Sequence, residues 1–136
     1  MKINMFSSIR TSKQNKEIVQ ELTRKLSLGA ENVIARIAFT YSLSKEHSLE
    51  LKNIQDSQGK EYSAKILFGD YLPYYVAMVA VHYDIYKADK DVPKYIKMHV
   101  DDGLSLIYEE FGRSNLTGIE YLLQKIDAGL KKAGGS

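Results

Sequence analysis

The stretch SLGAENVIARIAFTYSL, Ser27 to Leu43, decides how this chain folds. It reads as a turn followed by an amphipathic helix over about Glu31 to Leu43. Val33, Ile34, Ile37, Ala38 and Tyr41 recur at helical spacing and share one side. Arg36 sits off that side, among small and apolar residues. Gly29 suits the end of a preceding helix, because a residue without Cβ takes positive φ freely. Ala30 offers no side-chain oxygen to the helix start; Glu31 offsets this in part through the helix dipole.

Toward the amino terminus, Asn4 to Arg10 predicts a short extended arm or strand, with Phe6 and Ile9 as its apolar residues. Thr11 with Gln14 fits a capping box. The helix it opens runs over about Ser12 to Leu26, with Ile18, Val19, Leu22 and Leu26 as a buried stripe. Lys13, Lys16, Arg24 and Lys25 lie outside that stripe.

Toward the carboxyl terminus, Leu49 and Leu51 alternate with charged residues, as do Tyr62, Ala64 and Ile66. Turn residues Asp56 to Gly59 lie between them. This predicts a hairpin within Leu49 to Phe68, its tip at Ser57 to Lys60. A third helix is expected over about Tyr71 to Ala88, with Pro73 in its first turn and Leu72, Tyr75, Val76, Val79, Tyr83 and Tyr86 as its apolar face. Asp91 and Pro93 open a fourth helix reaching Phe111, with the stripe Ile96, Val100, Leu104, Ile107 and Phe111. Gly103 inside it costs about 1 kcal/mol relative to Ala, which is tolerable where another backbone comes close. Gly112 closes this helix. A second capping box, Thr117 with Glu120, opens a fifth over about Gly118 to Lys132, with apolar positions Ile119, Leu122, Leu123, Ile126 and Leu130. The expectation is a mainly α, five-helix single domain over residues 1–132, with a short amino-terminal extended arm, a small β-hairpin and a disordered tail at 133–136.

Composition narrows the chemistry. The hydrophobic share of 44% and charged share of 26% in 136 residues are those of a globular chain. The absence of cysteine excludes disulfides, thiolate metal sites, iron–sulfur ligation and a cysteine nucleophile, and is compatible with a reducing cytoplasm. MKINMFSSIR contains no apolar run of signal-peptide length. The longest apolar stretch, Tyr74 to Val81, is about half a membrane span. A cytoplasmic protein without membrane contact is expected. Residues 1–45 carry eight basic and three acidic side chains, against 11 and 14 in the rest. A basic head of this kind suits a polyanion such as nucleic acid, although a solvated lysine-rich helix face has the same composition.

No phosphate-binding glycine motif and no HExxH occurs, and neither a cofactor nor a metal is expected. His99, three residues before Asp102, suits a hydrogen-bonded structural pair better than a metal site. Asp101, Asp102, Glu109 and Glu110 suit a solvated acidic face better than a Mg²⁺ site, although a metal-dependent nicking enzyme would use such a cluster. Tyr41, Tyr75, Tyr83, Tyr86 and Tyr108 fall on or beside apolar stripes, which favours packing over base stacking. The order extended segment, helix, glycine turn, helix is that of a ribbon-helix-helix module, in which strands from two chains pair and enter the major groove.

A longer series of motifs is more specific. Arg10-Thr11-Ser12-Lys13, Asn32-Val33-Ile34-Ala35-Arg36-Ile37-Ala38 followed by Ser42-Leu43, Gly59-Lys60-Glu61, Leu67-Phe68-Gly69, and His99 with Asp102-Gly103 occur in the order of the DndE family of the bacterial DNA phosphorothioate (DNA sulfur modification) system. The chain resembles that family over about Ile9 to Leu106. It departs at Ala30-Glu31, where the family has Thr-Pro, and at Ala35-Arg36, where the family has Cys-Arg. The second departure argues against a redox or sulfur-carrying role. The resemblance implies a helical accessory protein, a homo-oligomer and in particular a tetramer, that binds double-stranded and preferentially nicked DNA. It would work beside a cysteine desulfurase, an iron–sulfur sulfurtransferase-like component and an ATPase. The expected phosphate contacts are Arg10, Lys13, Lys16, Arg24, Lys25 and Arg36, with Lys60 and Lys65 as outlying additions. For Arg36, pairing with a glutamate across an interface is equally expected. The competing classes are a ribbon-helix-helix repressor and a nicking enzyme using Asp101, Asp102 and Glu109.

Overall fold

The computed structural model describes residues 6–133. Strand β1 (Ser8–Arg10) is followed by α1 (Lys13–Lys25), α2 (Glu31–Ser44), a 3₁₀ turn at Leu51–Asn53, strand β2 (Glu61–Ser63), the single-turn helix α3 (Ala64–Phe68), a second 3₁₀ turn at Gly69–Tyr71, and helices α4 (Leu72–Tyr83), α5 (Val92–Arg113) and α6 (Gly118–Ala133). The described part is thus mainly helical, with five long helices and one two-stranded antiparallel sheet. Residues 4 and 5 of the expected arm and 134–136 of the expected tail lie outside the described residues.

The sheet differs from the hairpin expected within Leu49 to Phe68. Strand β2 pairs with the amino-terminal arm, in the register Ser8↔Ser63, Ile9↔Tyr62 and Arg10↔Glu61. Leu51–Asn53 instead forms the 3₁₀ turn. Ile9 and Tyr62, opposite one another, are both buried. Burying this apolar pair decides the partner, and the pairing continues as the Thr11 N–H donates to the Lys60 carbonyl and the Gly59 N–H to the Thr11 carbonyl. The strand, helix, turn, helix order of a ribbon module is present, but the partner of β1 comes from its own chain.

The cap of α1 sits one residue later than expected. The Ser12 Oγ accepts from the Asn15 N–H at 3.1 Å, while the Thr11 Oγ1 accepts from the Lys60 N–H. The far end of α1 closes through Ser27, in left-handed conformation at φ 56°, with the Leu28 N–H donating to the Thr23 carbonyl; Gly29, at φ 82°, completes the turn. Helix α4 stops at Tyr83, not Ala88, because Asp84 takes the left-handed conformation and caps it. Helix α5 passes through Gly112 to Arg113, and Asn115 provides the left-handed residue beyond. Asp91 occupies the start of α5 without a side-chain cap bond, its carboxylate lying 3.5 Å from Lys94. The Thr117–Glu120 capping box forms as expected.

Helices α2 and α5 make the most extensive helix–helix contact of the fold. The buried face of α2 is Ile34, Ala35, Ala38, Phe39, Ser42 and Leu43, rotated from the expected one so that Val33, Ile37 and Tyr41 are only partly buried. The rotation follows from α2 lying among α1, α3 and α5. Phe39 meets Phe68 edge-on at 5.1 Å, and Phe68 stacks on Tyr75 at 4.3 Å. Gly103 of α5 abuts the Ala38 backbone, the close approach its position implied.

Candidate nucleic-acid interface

The start of α1 is fastened from two directions. The buried Asp101 carboxylate of α5 accepts from the Ser12 N–H at 3.1 Å and from the Asn15 amide at 2.8 Å through Oδ1. Its Oδ2 is paired with the buried Lys97 ammonium, which also donates to the Asp56 carbonyl at 2.7 Å. Asp56 accepts the Lys13 N–H at 2.8 Å and the Gln58 N–H at 3.1 Å. These two backbone N–H groups hold its carboxyl below the usual carboxylate range. The sequence reading missed this clamp. The i, i+4 spacing of Lys97 and Asp101 and the polar Asn15 within an apolar stripe were its signals.

On this base α1 turns Lys13, Lys16 and Arg24 to solvent. At 100° per residue they share one stripe with Gln20, opposite Leu22. None of the three, nor Lys60 at the same end of α1, takes part in a salt bridge among the described residues. Glu17 shares the stripe and dilutes its charge. The structure places the other candidates differently. Arg10 is tied to Glu61 at 3.2 Å and Lys25 to Glu21 at 2.7 Å. Arg36 faces α3, its Nε donating to the Leu67 carbonyl at 2.7 Å and a terminal nitrogen to the Ile66 carbonyl at 3.5 Å. It closes the carboxyl end of that short helix. Lys65 is exposed on α3.

The acidic residues of α5 take separate partners. Asp101 is neutralised by Lys97. The Asp102 Oδ2 accepts from the Ser42 hydroxyl at 2.7 Å and lies 3.1 Å from His47. Glu109 is exposed beside Arg113, and Glu110 takes the Lys125 ammonium at 2.6 Å. Among the described residues no group of three or more His, Asp or Glu side chains is placed to hold a metal ion.

All three histidines converge, which their separation in sequence did not indicate. His99 is fully buried between Ser42, 2.8 Å from its Nδ1, and the Tyr83 hydroxyl, 2.5 Å from its Nε2. Rings of His47 and His82 lie 6.3 and 5.5 Å away. The Ser42 hydroxyl donates to Asp102, so the His99 Nδ1 carries the proton and donates to Ser42, leaving Nε2 to accept from Tyr83. Burial, with His82 next, pushes His99 down to about 4. The unfolded chain binds this proton near pH 6.5 and the native chain only near 4, so stability is lost as the pH drops from about 6.5 to about 4. Unfolding in urea at pH 7.5 and 4.5 is expected to show a loss of about 2–3 kcal/mol from His99. A His99→Gln chain with the same slope as the wild type defeats the assignment.

Exposed tyrosines mark the other departures. Tyr86, beyond the end of α4, is 88% exposed, and Tyr71 and Tyr74 face outward, so the packing role expected for Tyr86 does not hold. No described helix is long and apolar enough to cross a membrane.

Comparison with known proteins agrees with this architecture. No curated protein matches the chain. Among solved structures it is similar to DndE from Escherichia coli B7A, described as involved in DNA phosphorothioation modification, with 19% identity, a TM-score of 0.61, and 76% of this chain covering 99% of that one. A mutant DndE structure gives the same identity and coverage and a TM-score of 0.63. At that identity the likeness establishes the fold. The model of the family described as DNA sulphur modification protein DndE matches residues 8–114, and the chain belongs to that family.

Proposed function

We propose that the chain is a non-catalytic accessory subunit of DNA phosphorothioation that binds the backbone of double-stranded DNA through α1. The observation that carries this reading is the stripe of Lys13, Lys16 and Arg24, exposed and free of salt bridges among the described residues, with Lys60 beside its start. Side chains of this type hold phosphates without reading bases. With no cysteine, the chain carries no sulfur as a thiol. A cysteine desulfurase, a sulfurtransferase-like protein and an ATPase do that work beside it, in the cytoplasm. The preference for nicked DNA and the tetrameric state follow from the resemblance read in the sequence.

Lys13→Glu with Lys16→Glu is expected to weaken binding to any duplex at least tenfold at low salt. For every cation withdrawn from a phosphate, the slope of log affinity against log salt becomes shallower by about 0.9. Titrating intact, nicked and single-stranded DNA of one sequence at two salt concentrations checks this. Wild-type affinity that ignores salt, or a double variant that binds as the wild type does, refutes the reading.

A further inference from the structure

Helix α6 begins at Gly118, beyond residue 114 where the family match ends. Its described ties to the body lie in its first half. Tyr121 is buried edge-on to Phe111 at 5.3 Å, and Lys125 donates to Glu110 at 2.6 Å and to the Tyr41 hydroxyl at 3.2 Å. From Ile126 to Lys131 every residue is exposed. On the outer side Ile119, Leu123, Ile126 and Leu130 form an apolar row, each 59–67% exposed.

We propose that this row is a self-association seam, in which α6 packs antiparallel against α6 of a second copy of the chain. The spacing of four, three and four residues is the alternating repeat of paired helices. It is also its own reverse. In an antiparallel pair Ile119 meets Leu130 and Leu123 meets Ile126, so every layer joins one isoleucine to one leucine. Pairing covers four side chains that are each 59–67% exposed on both copies, which together with flanking residues is on the scale of the ~1,000 Å² that a specific interface clears. The acids beside the row are already satisfied within the helix, Glu120 by Thr117 at 2.9 Å and Asp127 by Lys131 at 3.0 Å. The polar side mixes Glu120 and Asp127 with Lys125 and Lys131, unlike the strongly basic face of a helix that lies on an anionic membrane.

The proposal rests on the oligomeric part of the proposed function and not on its DNA contacts. Sedimentation of the full-length chain tests it, comparing wild type with Leu123→Glu/Ile126→Glu. The expected result is a two-fold fall in assembly mass, with the helical circular dichroism retained. An unchanged mass overturns the seam and leaves oligomerisation standing, whereas a monomeric wild type overturns both. Because the natural chain has no cysteine, oxidation gives an independent reading. Leu123→Cys/Ile126→Cys is expected to cross-link into dimers and Leu123→Cys alone is not. Cross-linking by the single variant, or none by the double, overturns the antiparallel pairing. A monomeric wild type that binds phosphatidylglycerol vesicles, with the glutamate variant losing that binding, assigns the row to lipid instead.

Discussion

Gly103→Ala is expected to destabilise the protein by about 3 kcal/mol or more, a fall in Tm of roughly 10 °C for a chain of this length. The sign is opposite to that of helix propensity, which favours Ala over Gly by about 1 kcal/mol in an exposed helix interior. Geometry overrides propensity here. A Cβ on Gly103 would lie 1.9 Å from the Ala38 carbonyl oxygen and 2.4 Å from its carbonyl carbon. Those atoms belong to the α2 backbone, so no side chain can swing aside, and α2 and α5 must move apart. Ile34, Phe39, Val100 and Leu104, all fully buried in the same core, then lose packing together. Thermal unfolding of the single variant measures the effect. A Tm equal to or above the wild type's is incompatible with so close a crossing.

Asp101→Ala is expected to cost about 3–5 kcal/mol, the range for removing one member of a buried ion pair. The Lys97 ammonium is then left in the interior with the Asp56 carbonyl as its remaining acceptor. The Ser12 N–H loses its α5 acceptor, and the Asn15 amide loses its 2.8 Å bond to the carboxylate while keeping the one to the residue-101 carbonyl at 3.3 Å. Most of the cost is the stranded charge, not an intrinsic worth of the pair. The double replacement Lys97→Met/Asp101→Leu is therefore expected to be more stable than Asp101→Ala alone, though still below wild type because the Ser12 N–H stays unpaired and Asn15 keeps only its bond to the main-chain carbonyl of residue 101. Urea unfolding of the three chains decides between these terms. If Asp101→Ala unfolds at the wild-type midpoint, the clamp does not anchor α1.

Elements with a strong local signal were legible in the sequence. Leu22, Val19 and Ile18 gave α1 its buried face, and Thr117 with Glu120 opened α6 where the capping box placed it. Readings failed where a distant residue decided. Tyr62 alternates with its neighbours as any strand residue does, and nothing local says that its partner is Ile9 rather than Leu51. Asp84 ends α4 by a left-handed conformation within an apolar run that otherwise continues toward Tyr86. For the candidate interface, exposure of Lys13, Lys16 and Arg24 followed directly from helical spacing. The commitments of Arg10, Lys25 and Arg36 did not, because Glu61 and the α3 carbonyls come from elsewhere in the chain, and the i, i+4 partner Glu21 competes with solvent.

The fastening of Ser12 to Asp101 spans 89 residues, and this sets an order of events during synthesis. At ribosomal rates of about 5–20 residues per second, the anchor is made roughly 5–20 seconds after the segment that needs it. Until then α1 has no α5 to dock on. The nascent chain therefore carries α1 without its anchor to α5 for most of its translation, and the proposed DNA-binding stripe is seated only when most of the chain exists.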